Sequence, residues 1–111
     1  MVRLSAEIIA TSIQRTNPLN ERELCLRALS IPTIEHLSTT RDAFDAIDFT
    51  DNRLTRLENF PRLRRLTSLY ACGNLITGVD AANLKENLVN LTNLVLTDNR
   101  IDGLWEVEGI G

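Results

Sequence analysis

The sequence predicts an α/β solenoid in which short strands stack in parallel along a concave face. Three observations predict it: one apolar-and-asparagine pattern recurs in register along the 111 residues, the apolar content is aliphatic, and Asn is abundant beside Leu. Hydrophobic residues are 43% of the chain and aromatics only 5%, with 18 Leu and 10 Asn, so the core is built from aliphatic side chains partnered with amides.

The pattern is explicit. Phe44-x-x-Ile47-x-Phe49-x-x-Asn52-x-Leu54-x-x-Leu57 is followed by Leu66-x-x-Leu69-x-Ala71-x-x-Asn74-x-Ile76-x-x-Val79, and then by Leu91-x-x-Leu94-x-Leu96-x-x-Asn99-x-Ile101-x-x-Leu104. A degenerate earlier copy, Leu24-x-Leu26-x-x-Leu29-x-Ile31-x-x-Ile34, carries Leu29 where the others carry Asn. The corresponding positions are 23, 22 and 25 residues apart, which is the leucine-rich repeat period. Each unit predicts a strand with alternating inward residues, a turn, and a return segment of helix or 3₁₀. Asn52, Asn74 and Asn99 are expected to fill backbone donors and acceptors inside the arc, because a buried amide offers both functions.

Ser5 can N-cap a helix over 6–14, with Ile8, Ile9 and Ile13 as its buried stripe, covering the open first repeat. Asn17-Pro18 then breaks that helix and leads into the first strand. Asp80–Asn90, with Leu84 and Leu88, reads as a convex-side helix that lengthens the third period. The cap is therefore expected over 1–20 and about four repeats over 21–111, in one domain. After Leu104 only Trp105–Gly111 follow, in which neither another strand nor a capping helix is expected, so the sequence is expected to lack the C-terminal cap and to be the N-terminal part of a longer chain.

Composition excludes several classes. With 24% charged residues and a net charge of −3 the chain is not a disordered polyampholyte, and no apolar run approaches the ~18 residues of a membrane span. No secretion signal is expected at the N-terminus, so Asn90-Leu91-Thr92 reads as a repeat position rather than a glycosylation site. Catalysis finds no support either. His36 is the single histidine and has no partner nearby, Asp45 and Asp48 fall on opposite faces of a strand, and there is no phosphate-cradling glycine loop or Cys-x-x-Cys pair. No metal or cofactor is expected. Cys25 and Cys72 lie two strand spacings of about 4.8 Å apart, beyond disulfide reach, so both are expected as free thiols in a reducing compartment.

Function is then expected on the concave face. The outward neighbours of the core positions are Glu23, Cys25 and Arg27; Ala46, Asp48 and Thr50; Ser68, Tyr70 and Cys72; and Asn93, Val95 and Thr97, with Asp51 and Asp98 at the edge. Four parallel strands span about 14 Å, wide enough for one dressed helix of roughly 10–12 Å. Tyr70, the only tyrosine, stands in the middle row as an interface anchor. Residues 53–65 hold five arginines against one acid, while the whole chain is acidic and has few stacking aromatics, so autonomous nucleic-acid binding is not expected.

Residues outside the core pattern carry a resemblance. Phe44-Asp45-Ala46-Ile47-Asp48-Phe49, Asp51-Asn52, Phe60-Pro61 and Leu63-Arg64-Arg65-Leu66 are similar to the second repeat of the spliceosomal U2 small nuclear ribonucleoprotein A-prime family. The likeness extends through Met1-Val2-x-Leu4-x-Ala6-Glu7, Thr16-Asn17, Arg22-Glu23-Leu24-x-Leu26-Arg27 and Ile31-Pro32-x-Ile34-Glu35. The resemblance implies a non-enzymatic nuclear scaffold whose concave face cradles a helix of the RNA-recognition domain of the B-double-prime protein. The resulting heterodimer would grip a stem-loop of U2 small nuclear RNA, with most base reading left to the partner. Carried over by position, the partner contacts are Glu23, Arg27, Ala46, Asp48 and Asp51 in the matching motifs, with Tyr70, Cys72 and Val95 at corresponding concave positions; strand register adds Cys25, Thr50 and Thr97 to the expected partner contacts. Arg3 is the leading phosphate contact, with Arg53 and Arg56 behind it. Ala71-Cys72-Gly73 departs from the family pattern. The alternative reading is a generic leucine-rich adaptor or regulatory subunit, associated with a phosphatase or with chromatin.

Overall fold

The computed structural model describes residues 3–101. The expected open end after Leu104 lies outside them.

The chain begins with α1 (Ala6–Thr11), capped by Ser5, whose Oγ accepts from the Ile8 amide at 3.2 Å. The helix is shorter than expected, because the backbone is already extended at Ser12 and residues Ile13–Thr16 form a strand, β1. β1 pairs antiparallel with β2 (Arg22–Cys25), in the register Ile13 to Cys25 and Thr16 to Arg22. Of the expected stripe, Ile9 is buried and Ile8 partly so, whereas Ile13 is 67% exposed. Asn17-Pro18 therefore turns a hairpin rather than ending a helix. The Asn17 amide donates to the Glu21 carbonyl at 2.9 Å, and Asn17 Oδ1 accepts from the amides of Leu19 and Glu21 at 3.0 Å each.

Beyond the hairpin the repeats stack as the period predicts. β2, β3 (Ala46–Asp48), β5 (Ser68–Tyr70) and β7 (Asn93–Val95) run parallel, and the whole sheet has the order β1-β2-β3-β5-β7. A second, two-stranded parallel sheet joins β4 (Arg56–Leu57) to β6 (Gly78–Val79). A 3₁₀ turn at Leu37–Thr40 packs against α1, and α2 (Ala81–Asn87) falls inside the segment expected to be helical. Asp80 caps α2 by accepting from the Asn83 amide at 3.0 Å.

The register puts Leu24, Ile47, Leu69 and Leu94 in one inward row. Phe49 and Ala71 are fully buried in the next row, a large side chain beside a small one, which keeps that layer filled without crowding. Leu94, Leu96 and Ile101 are only partly buried, whereas Ile47, Phe49 and Leu54 are almost wholly enclosed. An internal layer of the stack has neighbours on both sides, and the β7 layer has one among the described residues.

The asparagines do the work expected of them. Asn52 Oδ1 accepts from the amides of Leu29 and Ile31, and its Nδ2 donates to the carbonyls of Leu26 and Phe49 at 2.8 Å each. Asn74 links Leu54 to Phe49 and Ala71, and Asn99 links Ile76 to Ala71 and Leu96. Each amide thus ties its own strand end to the preceding repeat. The residue before each Asn is left-handed, with φ of 60° at Asp51, 66° at Gly73 and 59° at Asp98. Asp tolerates that region better than most residues and Gly adopts it freely, which explains the residue types at these turns.

Candidate functional site

The pleat places the expected outward residues in rows across the concave face. One row runs Arg15, Glu23, Ala46, Ser68, Asn93, and the next runs Ile13, Cys25, Asp48, Tyr70, Val95. Both rows gain a member from β1, so the face is five strands wide rather than the four expected.

The first row is not open. Ala46 is fully buried and Glu23 is 2% exposed, which corrects the expectation that both present a contact surface. The cause is the β1–β2 hairpin. Arg15 Nε donates to Glu23 Oε2 at 2.9 Å, and Asn17 Nδ2 reaches Glu23 Oε1 at 3.3 Å. Glu21, at the end of the turn, extends to the third repeat, where its Oε2 accepts from Ser68 Oγ at 2.8 Å and Thr67 Oγ1 at 2.9 Å. Burial pushes the Glu21 pKa up, but hydrogen bonds from Asn17, Ser68 and Thr67 outweigh it and leave the carboxyl below its ordinary value.

The open part of the trough is a cavity of about 350 Å³ lined by Asn17, Pro18, Leu19, Glu23, Arg27, Asp48, Thr50, Tyr70 and Cys72. Six of these residues were expected from register; Asn17, Pro18 and Leu19 were not. Asp48, at the cavity wall, is only 6% exposed and so less open than expected, because it is held from two sides: its Oδ1 accepts from the Thr50 amide at 2.9 Å, and Arg27 Nε lies 3.8 Å from Oδ2. Arg27 also comes within 3.9 Å of Asp51 at the edge. Cys25 and Cys72 are free thiols, both half-buried, and Val95 and Thr97 continue the face on the β7 side. No group of three or more His, Cys, Asp or Glu that could hold a metal occurs among the described residues.

The three arginines expected to meet phosphate stand elsewhere. Arg56 is in the second sheet, pairing with Glu58 at 2.8 Å, and Arg3 pairs with Glu35 at 2.9 Å. The Arg3 pair raises the guanidinium pKa and lowers that of Glu35, each through the shared hydrogen bond. Arg53 is exposed, with its backbone amide donating to the Ile31 carbonyl at 3.0 Å. Arg65 is committed to Asp45 at 2.9 Å, and that bond, with the Arg22 amide, lowers the Asp45 pKa. The basic run at 53–65 is thus partly neutralised, by Glu58 within it and by Asp45, which lies 20 residues before Arg65.

A parallel stack of short strands, return segments on the far side and an asparagine at each strand end define a leucine-rich repeat solenoid with a concave trough. The sequence model of the leucine-rich repeat family matches residues 1–111, and the chain belongs to that family. Among curated proteins it is similar to the U2 small nuclear ribonucleoprotein A' of Arabidopsis thaliana, 47% identical over 108 residues, covering 97% of this chain and 43% of that protein. The Homo sapiens U2 small nuclear ribonucleoprotein A' is 44% identical over 108 residues, covering 97% of this chain and 42% of that protein. Among solved structures it superposes on a chain of the crystal structure of the Drosophila melanogaster SNF/U2A' complex with a TM-score of 0.90 and 44% identity, covering 94% of this chain and 59% of that one. The chain therefore spans less than half the length of these curated relatives.

Proposed function

We propose that the chain is a non-catalytic, nuclear scaffold of the U2 small nuclear ribonucleoprotein, acting in pre-mRNA splicing. Its trough holds the RNA-recognition domain of a B-double-prime-like protein, and the heterodimer binds a stem-loop of U2 small nuclear RNA mainly through that partner. The likeness to a chain of a solved SNF/U2A' complex over nearly the whole length of this chain carries the reading. The geometry supports it: the trough is concave, mixed in polarity, and wide enough for one helix.

In this reading Cys25, Arg27, Asp48, Thr50, Asp51, Tyr70, Cys72, Val95 and Thr97 meet the partner directly. Glu23 and Ala46 act from beneath, one orienting Arg15 and the other allowing the hairpin to close over the sheet. Arg53 is the phosphate contact that needs no rearrangement, whereas Arg3 and Arg56 must first leave Glu35 and Glu58. Calorimetric titration of the protein with an RNA-recognition-domain protein, with and without the U2 stem-loop, tests the assignment. Binding of the domain by the protein alone, and tight RNA binding only by the pair, is expected. Tight selective RNA binding by this protein without a partner contradicts it.

A further inference from the structure

Three large apolar side chains are exposed among the described residues: Ile13 at 67%, Leu19 at 65% and Val89 at 55%. Two of the three belong to the β1–β2 hairpin, which is not part of the repeat. Ile13 pairs with Cys25 and so stands at the end of the row that continues through Asp48, Tyr70 and Val95. Leu19, with Pro18, lines the same cavity as Tyr70 and Cys72.

The turn that carries Leu19 is held in place. Asn17 Oδ1 accepts from the Leu19 and Glu21 amides, Asn17 Nδ2 donates to Glu21 at 3.0 Å, and Glu21 anchors the turn to Ser68 and Thr67. An exposed leucine on a turn fixed by this many polar contacts is pre-organised for a contact, since its ordering entropy is already spent in the free protein.

Charge gives the opposite edge a different character. The trough and its rim carry Glu21, Glu23, Asp48, Asp51 and Asp98 against Arg15 and Arg27. Asp51 and Asp98 follow the ends of β3 and β7, whereas Leu19 lies in the turn before β2 begins. An occupant lying across the strands thus meets the apolar turn at one strand end and carboxylates at the other, where Ile13 adds an apolar side chain beside Cys25.

We propose that the β1–β2 hairpin is an apolar flank of the binding trough, its rigid turn presenting Leu19 as a lip over the cavity and β1 presenting Ile13 at the end of the strand row, both as specificity-determining contacts for an amphipathic partner helix. That helix sets an apolar residue between Leu19 and Tyr70 and turns basic residues toward Asp51 and Asp98. The inference rests on the functional reading above and adds the hairpin to the repeat strands as part of the site.

The test is calorimetric titration of the full-length protein with the RNA-recognition-domain protein, using Leu19→Ser, Ile13→Ser, Leu19→Met and Val89→Ser. Leu19→Ser is expected to weaken binding about tenfold or more and Ile13→Ser several-fold, while Leu19→Met, which keeps the apolar bulk, and Val89→Ser, which lies in the return segment after α2, stay close to wild type. Thermal unfolding of the four variants should match wild type, since all three side chains face solvent. Affinity of Leu19→Ser within about twofold of wild type overturns the lip, as does equal weakening by Val89→Ser. Failure of the wild-type protein to bind the domain overturns the functional reading itself, and the lip with it.

Discussion

Glu21 and Ser68 stand 47 residues apart in sequence and meet at 2.8 Å across the concave face, where the carboxylate also takes the Thr67 hydroxyl. This contact joins the N-terminal hairpin to the third repeat and closes the first row of the sheet.

Removing it by Glu21→Ala is expected to lower stability by about 1–3 kcal/mol, the range for hydrogen bonds to a charged group. Urea unfolding measures the loss. The effect depends on pH. Because burial and the Asp45 charge raise the folded-state pKa of Glu21 less than the hydrogen bonds from Asn17, Ser68 and Thr67 lower it, its contribution is fully present above the ordinary glutamate value near 4.3. It fades as pH falls through the depressed folded value. The difference between wild type and Glu21→Gln should therefore narrow in acid and be constant from about pH 5 to 7.

The asparagine ladder predicts a graded series. Asn52→Ala leaves the Leu29 and Ile31 amides and the Leu26 and Phe49 carbonyls without their partner inside the arc, for an expected loss of about 3 kcal/mol. Asn99 bridges the same kind of groups but is only half-buried in the described structure, so Asn99→Ala should cost less. Equal losses in chemical unfolding would contradict the link between burial and cost.

Gly73 is favoured rather than required, since Asp51 and Asp98 hold the same left-handed position with side chains. Its φ is +66°, and a Cβ there would collide with Asp51 Oδ1. Gly73→Ala is expected to cost about 1–2 kcal/mol from the left-handed backbone and to push Asp51 away from Arg27. Adding Asp51→Ala should relieve the collision but not the backbone cost, which a double-mutant cycle separates.

For binding, Asp48→Ala and Tyr70→Ala are each expected to weaken the proposed heterodimer by about 1–3 kcal/mol, as anchors in the middle row. Wild-type affinity in both variants removes the concave face from the interface.

Much of this was legible in sequence, and the exceptions have physical causes. The strands β2, β3, β5 and β7 and the amides that lock them repeat at a fixed spacing, so local pattern specifies them. The strand β1 was hidden because Ile8, Ile9 and Ile13 mimic a helical stripe, and only pairing with Arg22–Cys25 draws residues 13–16 into the sheet. The Asn17-Pro18 step marked a turn, and its two following polar and apolar residues could have suggested a hairpin. Glu23 is enclosed by Arg15 and Asn17 once residues 13–16 pair with β2, and the hairpin is tied to the third repeat by the Glu21–Ser68 contact spanning 47 residues, which no spacing rule encodes. Arg3 likewise reads as a free basic residue until Glu35, 32 positions away, is brought beside it.

The most direct test of the central claim is native purification of the full-length protein, with identification of bound proteins and sequencing of bound RNA, compared with Tyr70→Ala. The account predicts an RNA-recognition-domain protein and U2 small nuclear RNA with the wild type, both depleted together in the variant. Recovery of a phosphatase or histones without U2 RNA, or of U2 RNA undiminished while the domain protein is lost, would contradict it.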